Sequence, residues 1–327
     1  MGVPVRRHYP RMMDRRSWTL LLCLAAIWGA SYMFIKIGVR DLSPSMVSWG
    51  RIALAAAVLV PIAALRGQLR LPNARVWVVV VLAAVQVAGP FLLIAEGEEE
   101  ISSGLAGILV ASTPLFTALL AIRLDHEERS HGARMWGIVA GLIGVGVLLG
   151  VDLGGTSAEL LGGAAILLAS LGYAVGAFIA KHGLSGAPPT GIAAWVMVAS
   201  TVLLAPAAIL TAPSEAPGAG PVAAVVALGV LGTGVAFAIF YDLMARVGPA
   251  RTFVVTYLAP AFAVVYGATL LDETISVSTI VGLALIVGGS YLAAEGRLPG
   301  SRRKAADGPS QPSSEPAVAA SSGAATR

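Results

Sequence analysis

The sequence predicts an all-α membrane protein of ten transmembrane helices, built as two inverted five-helix repeats. Three observations carry that expectation. The 327-residue chain is 57% hydrophobic and only 12% charged, with a mean hydropathy of +0.81, whereas a soluble domain carries roughly 25% charged residues. Its apolar residues fall into runs of about 20, the length that crosses a bilayer as a helix. Finally, the stretch 102–130, SSGLAGILVASTPLFTALLAIRLDHEERS, returns 146 residues later as GPARTFVVTYLAPAFAVVYGATLLDETIS. Under that shift Pro114 falls on Pro260, Phe116 on Phe262, Leu124 on Leu270, Glu127 on Glu273 and Ser130 on Ser276.

The weight of that match lies in a proline and a glutamate held 13 residues apart at the same points of two apolar segments. The same shift brings Phe91 onto Phe237 and Glu96 onto Asp242. A shift of 145 brings Trp28 onto Tyr173, Lys36 onto Lys181, Gly38 onto Gly183, and Gly137 and Gly144 onto Gly282 and Gly289. A unit of about 140 residues written twice is how internal-repeat transporters are built.

Taken in order, residues 1–17 form a polar tail with Arg6, Arg7, Arg11, Arg15 and Arg16. The apolar run 18–39 is longer than a signal peptide's apolar region, so an uncleaved first helix is expected. Further spans are expected near 44–65, 75–95, 103–124, 133–151, 159–181, 189–211, 221–241, 250–271 and 276–295. The runs are too long for barrel strands and do not alternate, which leaves helices as the way to satisfy the backbone in lipid. The first repeat is expected over 18–151 and the second over 157–296. The Ser-, Pro-, Ala- and Gly-rich stretch 297–327 has the composition of a disordered tail.

Orientation follows from the basic residues, which gather on the cytoplasmic side of membrane proteins. With both termini inside, 19 of the 22 lysines and arginines fall in inner segments, and only Lys36 and Arg40 in outer ones. Arg51 lies within a span. Glu96, Glu98, Glu99 and Glu100 are expected in an outer loop. Because five helices per repeat is an odd number, the halves run in opposite senses through the membrane, a design that suits alternating access. The basic balance is thus a matter of topology, and no nucleic-acid partner is implied. The implied partners are membrane lipids and a small-molecule substrate, with a homo-oligomer left open. The expected location is a cell (inner or plasma) membrane.

The residues also resemble a known family. IWGASYMFIK in the first span, SWGR in the second, and SSGLAG followed by TPLF and a glutamate in the fourth match the EamA-type permeases of the drug/metabolite transporter superfamily. So do APAF and LDETIS in the ninth span and the glycine-rich GIVAGLIGVGVLL and GLALIVGG in the fifth and tenth. The resemblance covers about residues 18–296. The acidic EGEEE after the third span departs from it. The resemblance implies a secondary transporter, often an exporter, of small metabolites or drugs.

The chemistry-bearing residues fit transport better than catalysis. No G-x-x-x-x-G-K-[ST] phosphate loop and no G-x-S-x-G elbow occur. The four histidines, His8, His126, His131 and His182, fall in tails or inner connections, so no metal, cofactor or catalytic residue is expected. Arg51 sits about seven residues from the outer end of its span, or ~10 Å at the helical rise. It either attracts an anion or serves as a structural arginine held by protein groups. Glu96 and Asp242 are expected near the surface and solvated. Glu127 and Glu273 are expected to cap the following helices beside Ser130 and Ser276. Pro114 and Pro260 are expected to kink the fourth and ninth helices near a central site. The candidate lining comprises Trp28, Ser31, Tyr32, Arg51, Gln86, Thr113, Pro114, Tyr173, Thr233, Phe237, Thr256, Tyr257 and Pro260. Aromatic walls with a few hydroxyls suit a neutral or cationic organic solute.

Overall fold

A computed structural model describes residues 13–70, 75–124, 132–152 and 156–295. Residues 1–12, residues 296–327 and the Glu127–Ser130 cap lie outside the described residues, while residues 13–17 of the expected N-terminal tail are described and α1 begins at Arg15.

Ten apolar helices are present among the described residues. They are α1 Arg15–Gly38, α2 Pro44–Leu65, α3 Val76–Glu100, α4 Ser103–Ile122, α5 Ala133–Gly150, α6 Ser157–Gly183, α7 Pro189–Leu210, α8 Ala219–Val247, α9 Val255–Leu270 and α10 Val277–Ala294. Nine have the length and composition to cross a membrane unaided. The shorter α9 is preceded by a one-turn helix, Pro249–Thr252, after Gly248, whose φ of 83° turns the chain out of α8.

Local chemistry sets the helix ends. Asp14 accepts a hydrogen bond from Ser17 N–H at 3.0 Å and so begins α1. Ser43 caps α2, with Pro44 in its first turn. Thr156 and Glu159 form a reciprocal capping box on α6, which satisfies two otherwise unpaired amides.

Helix pairing follows the exchange of halves. The element contacts join α5 to α10 and α2 to α7 across the pseudo-twofold axis, while α1 packs between α8 and α9 and α6 packs between α3 and α4. Lipid gives helices little hydrophobic reason to associate, so close contact of small residues does the work. The α5–α10 contact shows this. A Cβ on Gly289 would stand 2.5 Å from Gly141 N, and one on Gly137 would strike the backbone of Gly289 and Ala293. These glycines let the two backbones meet directly.

Besides α5, which ends in the π-helical residues Leu148–Asp152, three helices are irregular within their spans. Residues Ala83–Ala88 of α3 and Val230–Val235 of α8 are π-helical, at places related by the repeat to within one residue. Such bulges release carbonyls that other groups can use, and they are frequent at functional sites. In α3, the Ser200 hydroxyl donates to Ala83 O at 3.1 Å. In α8, the Thr233 hydroxyl donates to Leu228 O at 3.1 Å. The third irregular helix is α4, broken at Ala111–Ser112. Its freed carbonyls are met by Ser170 of α6 on Leu109 O and by Ser290 of α10 on Ala111 O, at 3.3 and 2.8 Å.

That break corrects one expectation. Pro114 does not kink a continuous helix; it stands in the first turn of the resumed segment Thr113–Leu124, where its missing N–H costs nothing. Pro260 does lie inside its helix, in α9. A second correction concerns the acidic cluster. The α3 helix runs on to Glu100, so Glu96, Glu98, Glu99 and Glu100 belong to its last turns and not to a loop.

Candidate functional site

Between the halves, the side chain of Arg51 is held from three directions. It enters from α2 and is only 9% exposed. Its Nε donates to the Thr233 hydroxyl of α8 at 2.8 Å. Its Cζ lies 3.7 Å from the ring centroid of Phe91 on α3, a cation–π stack. Phe91 is itself fixed: Ser48 Oγ donates to its carbonyl at 3.1 Å, and Tyr173 of α6 meets its ring edge-on at 6.5 Å. Tyr32 and Tyr173 lie within electrostatic reach of the guanidinium. The arginine therefore joins the first half to Thr233 of the second, with aromatic side chains of α1, α3 and α6 around it.

The α8 π-bulge makes this possible. It brings the Thr233 hydroxyl to Leu228 O five residues back, which leaves the same oxygen free to accept from Arg51. Thr233 is fully buried, so the guanidinium supplies the donor that a buried hydroxyl oxygen lacks in lipid.

The other candidates sort around this centre. Trp28 packs on Phe237 and Phe240 at 6.3 and 5.4 Å, and Phe237 continues the stack to Tyr241 at 6.0 Å. Ser31 donates to Ile27 O within α1, and a Cβ on Gly232 of the α8 bulge would stand 2.9 Å from its Oγ. Tyr32 lies under Gly107 of α4, where a Cβ would meet its ring at 3.2 Å. Gln86, in the α3 bulge, packs on Gly176 of α6. Thr113 and Thr256 are not drawn into the centre by their hydroxyls, which bond back to Val110 O and Phe253 O at 2.8 and 2.7 Å. Tyr257 packs edge-on against Tyr291 of α10 at 5.8 Å.

Two acidic side chains stand where the sequence did not lead. Arg51 is not the only ionisable side chain held in the core. Glu98, on the last turns of α3, is 0% exposed. Helical spacing carries the signal: Phe91, Ile94, Ala95 and Glu98 are all buried and recur at intervals of three and four. Glu273 caps α4 and not α10. Its carboxylate accepts from Ser103 N–H at 2.7 Å and Gly104 N–H at 3.0 Å, at the positive end of α4. The α10 cap is Ser276, which accepts from Thr279 N–H at 2.9 Å. Asp242 pairs with Arg246 one turn on at 2.7 Å, with both side chains more than a third exposed.

Comparison with known proteins decides the family. The EamA-like transporter family model matches residues 16–150 and again 160–294. The chain belongs to the EamA-like transporter family. This member is similar to the inner membrane transporter YedA of Escherichia coli, at 29% identity over 82% of this chain and 87% of that one. It is also similar to a probable terminal-alkyne amino-acid exporter of Streptantibioticus cattleyicolor, at 28% identity over 86% and 93%. A probable amino-acid metabolite efflux pump of Escherichia coli is 24% identical over 86% and 95%. A solved crystal structure superposes with a TM-score of 0.62 at 23% identity, covering 86% of this chain and 98% of that one, which shows the fold. Family membership and the ten apolar helices make this EamA protein a multi-pass membrane transporter.

Proposed function

We propose that this protein is a secondary transporter that moves small amino-acid-like carboxylates outward across the inner membrane, by alternating access between its two halves. One observation carries the reading: Arg51 is buried at the junction of the halves, stacked on Phe91 and bonded to Thr233. A buried guanidinium is costly unless protein or ligand groups compensate it, and a planar fork of donors matches a carboxylate. That favours a solute bearing a carboxylate over the neutral or cationic solute that aromatic walls alone suggest. The names of two relatives, an amino-acid metabolite efflux pump and an amino-acid exporter, point to the same class. Trp28, Tyr32, Tyr173 and Phe237 supply the walls for the organic remainder. In this closed arrangement Thr233 occupies the donor that a substrate carboxylate would take over.

Both termini are cytoplasmic in this account, because the lysine and arginine count places 19 of 22 on that side. Reporter fusions at residues 10 and 320 both read cytoplasmic if the topology is right. The function is tested by comparing amino acids released from cells with and without the protein. Export raises the external amount of one or a few amino-acid-like solutes, and Arg51→Ala abolishes the rise at equal abundance. Faster uptake in place of release means that the protein is an importer, and no change in either direction removes the reading.

A further inference from the structure

Glu98 lies at the end of the molecule where α1, α3, α4 and the α9–α10 connection meet. It is fully buried, and both of its carboxylate oxygens lack a hydrogen-bond partner. The obvious partner is committed elsewhere. Lys36 of α1 donates its ammonium to the main-chain carbonyls of Glu98 and Ile101, the latter at 3.0 Å. It thereby ties down the turn between α3 and α4; its charge lies within electrostatic reach of the Glu98 carboxylate but makes no hydrogen bond to it. Glu273, the neighbouring acid, is already satisfied as an anion by the Ser103 and Gly104 amides. Arg51 is within electrostatic reach of Glu98 but spends its Nε on Thr233. Tyr32 of α1 is also within electrostatic reach of the carboxyl. From α6, Gly162 and Ile166 pack on the adjacent Gly97 and bring no charge.

An ionised carboxylate sealed with no donor on either oxygen loses its hydration with only the Lys36 charge to offset that loss. A neutral acid with the same unmet bonds loses much less. The difference selects the acid form while the site is closed. Opening this end would admit water to the carboxyl and separate it from the Glu273 anion. Both changes favour the ionised form and release the proton.

We propose that Glu98 is the proton-binding site of this transporter: it holds a proton while the α3–α4 end is closed and gives it up when that end opens. The Glu98 side chain gains one H⁺ from water that enters from the opposite face and loses it to water when the α3–α4 end opens, with no other bond made or broken. Coupling of that cycle to solute movement rests on the transport reading above; the occupancy of the site by a proton does not.

The test separates the two. Infrared spectra of the purified full chain at pH 7.5 are compared before and after labelling its glutamates with ¹³C. Among the described residues, Glu98 is the one fully buried glutamate. A protonated-carboxyl band that shifts with the label and is lost in Glu98→Gln is the expected result. Absence of that band from the wild-type protein overturns the proposal, without reliance on any variant's folding. The same preparations, in vesicles loaded with a mixed radiolabelled amino-acid panel, give the ratio of efflux with and without a proton gradient directed outward through the α3–α4 end. The wild type should show a ratio above one, and Glu98→Gln a ratio of one, whatever its absolute rate. A band with an unchanged gradient ratio in Glu98→Gln overturns the coupling. A ratio that follows a sodium gradient instead assigns the site to another cation and overturns the proposal. If no panel member moves while the band is present, the transport reading fails and the proton site stands.

Discussion

The first half of the molecule places Arg51 on its second helix and Glu98 at the end of its third. At the matching places the second half has Val196 and Met244. The packing itself is shared. Pro44 and Pro189 open α2 and α7, Pro61 and Pro206 recur inside them, and the bulges of α3 and α8 correspond. Twofold packing allows two conformations to be exchanged by symmetry, whereas a charge need be present only once, on the path between them. One half can therefore keep the costly groups while the other supplies what they bond to. Thr233 fills that role for Arg51, and Glu273 reaches across to cap α4 of the first half.

This division is open to direct attack, and the largest effect should come at Arg51. Hydrogen bonds to charged groups contribute about 1.5–3 kcal/mol, so Arg51→Ala should lower flux per molecule roughly 10- to 100-fold. Arg51→Lys should restore little, because an ammonium cannot stack on Phe91 as a planar guanidinium does. The counterpart change, Val196→Ala, should reduce the amount of folded protein but not the flux per molecule. Equal flux losses at both positions would mean that the chemistry is shared after all.

The next effect concerns the shared packing. Gly289→Leu puts a side chain into the backbone of α5 and should cost more than the usual ~1–3 kcal/mol of an overpacked core, read as loss of monodisperse protein after extraction. Gly288→Leu, on the neighbouring glycine, should be tolerated, since nothing lies within 4 Å of a Cβ there. A smaller change is expected from Thr233→Val, which removes the acceptor for Arg51 but keeps the shape. Flux should fall about tenfold, with Thr233→Ser restoring most of it, as one hydrogen bond to a charged group implies. Smallest is the cap at Asp14. Its hydrogen bond with Ser17 holds the carboxyl below the usual carboxylate range. The cap is fully formed above that range and is lost as pH falls through the lowered value. Amide exchange at Ser17 should quicken only there, and in Asp14→Ala at every pH.

Much of this architecture can be read from residue types. The ten spans were legible because length and apolarity are set by the bilayer. Arg51 was legible because a charge within an apolar run has no neutral explanation. Glu98 was not, because EGEEE reads as a solvated loop once the third helix is ended at residue 95. Only continuation of the helix places Glu98 on the face of Phe91 and Ile94. The prolines mislead for another reason. Pro114 and Pro260 match in sequence, but the α4 break is stabilised by hydroxyls from Ser170 and Ser290, on helices far along the chain. No local pattern contains that information. Glu273 is similar: its amide partners lie 170 and 169 residues away.

On the transport proposal, the aromatic residues around Arg51 line a path that opens to water and binds substrate. Cysteine at position 28 or 173, in a Cys23→Ala background, tests it most directly. The two are counterparts in the halves: Tyr173 packs on Phe91, which stacks on Arg51, and Trp28 packs on Phe237. Labelling of both by a small water-soluble thiol reagent is expected, with one reacting faster in the inward-facing and the other in the outward-facing condition. Labelling should be slower when the amino-acid panel is present. If both cysteines stay unreactive in every condition, no path opens there, and the aromatic cluster around Arg51 is core packing alone.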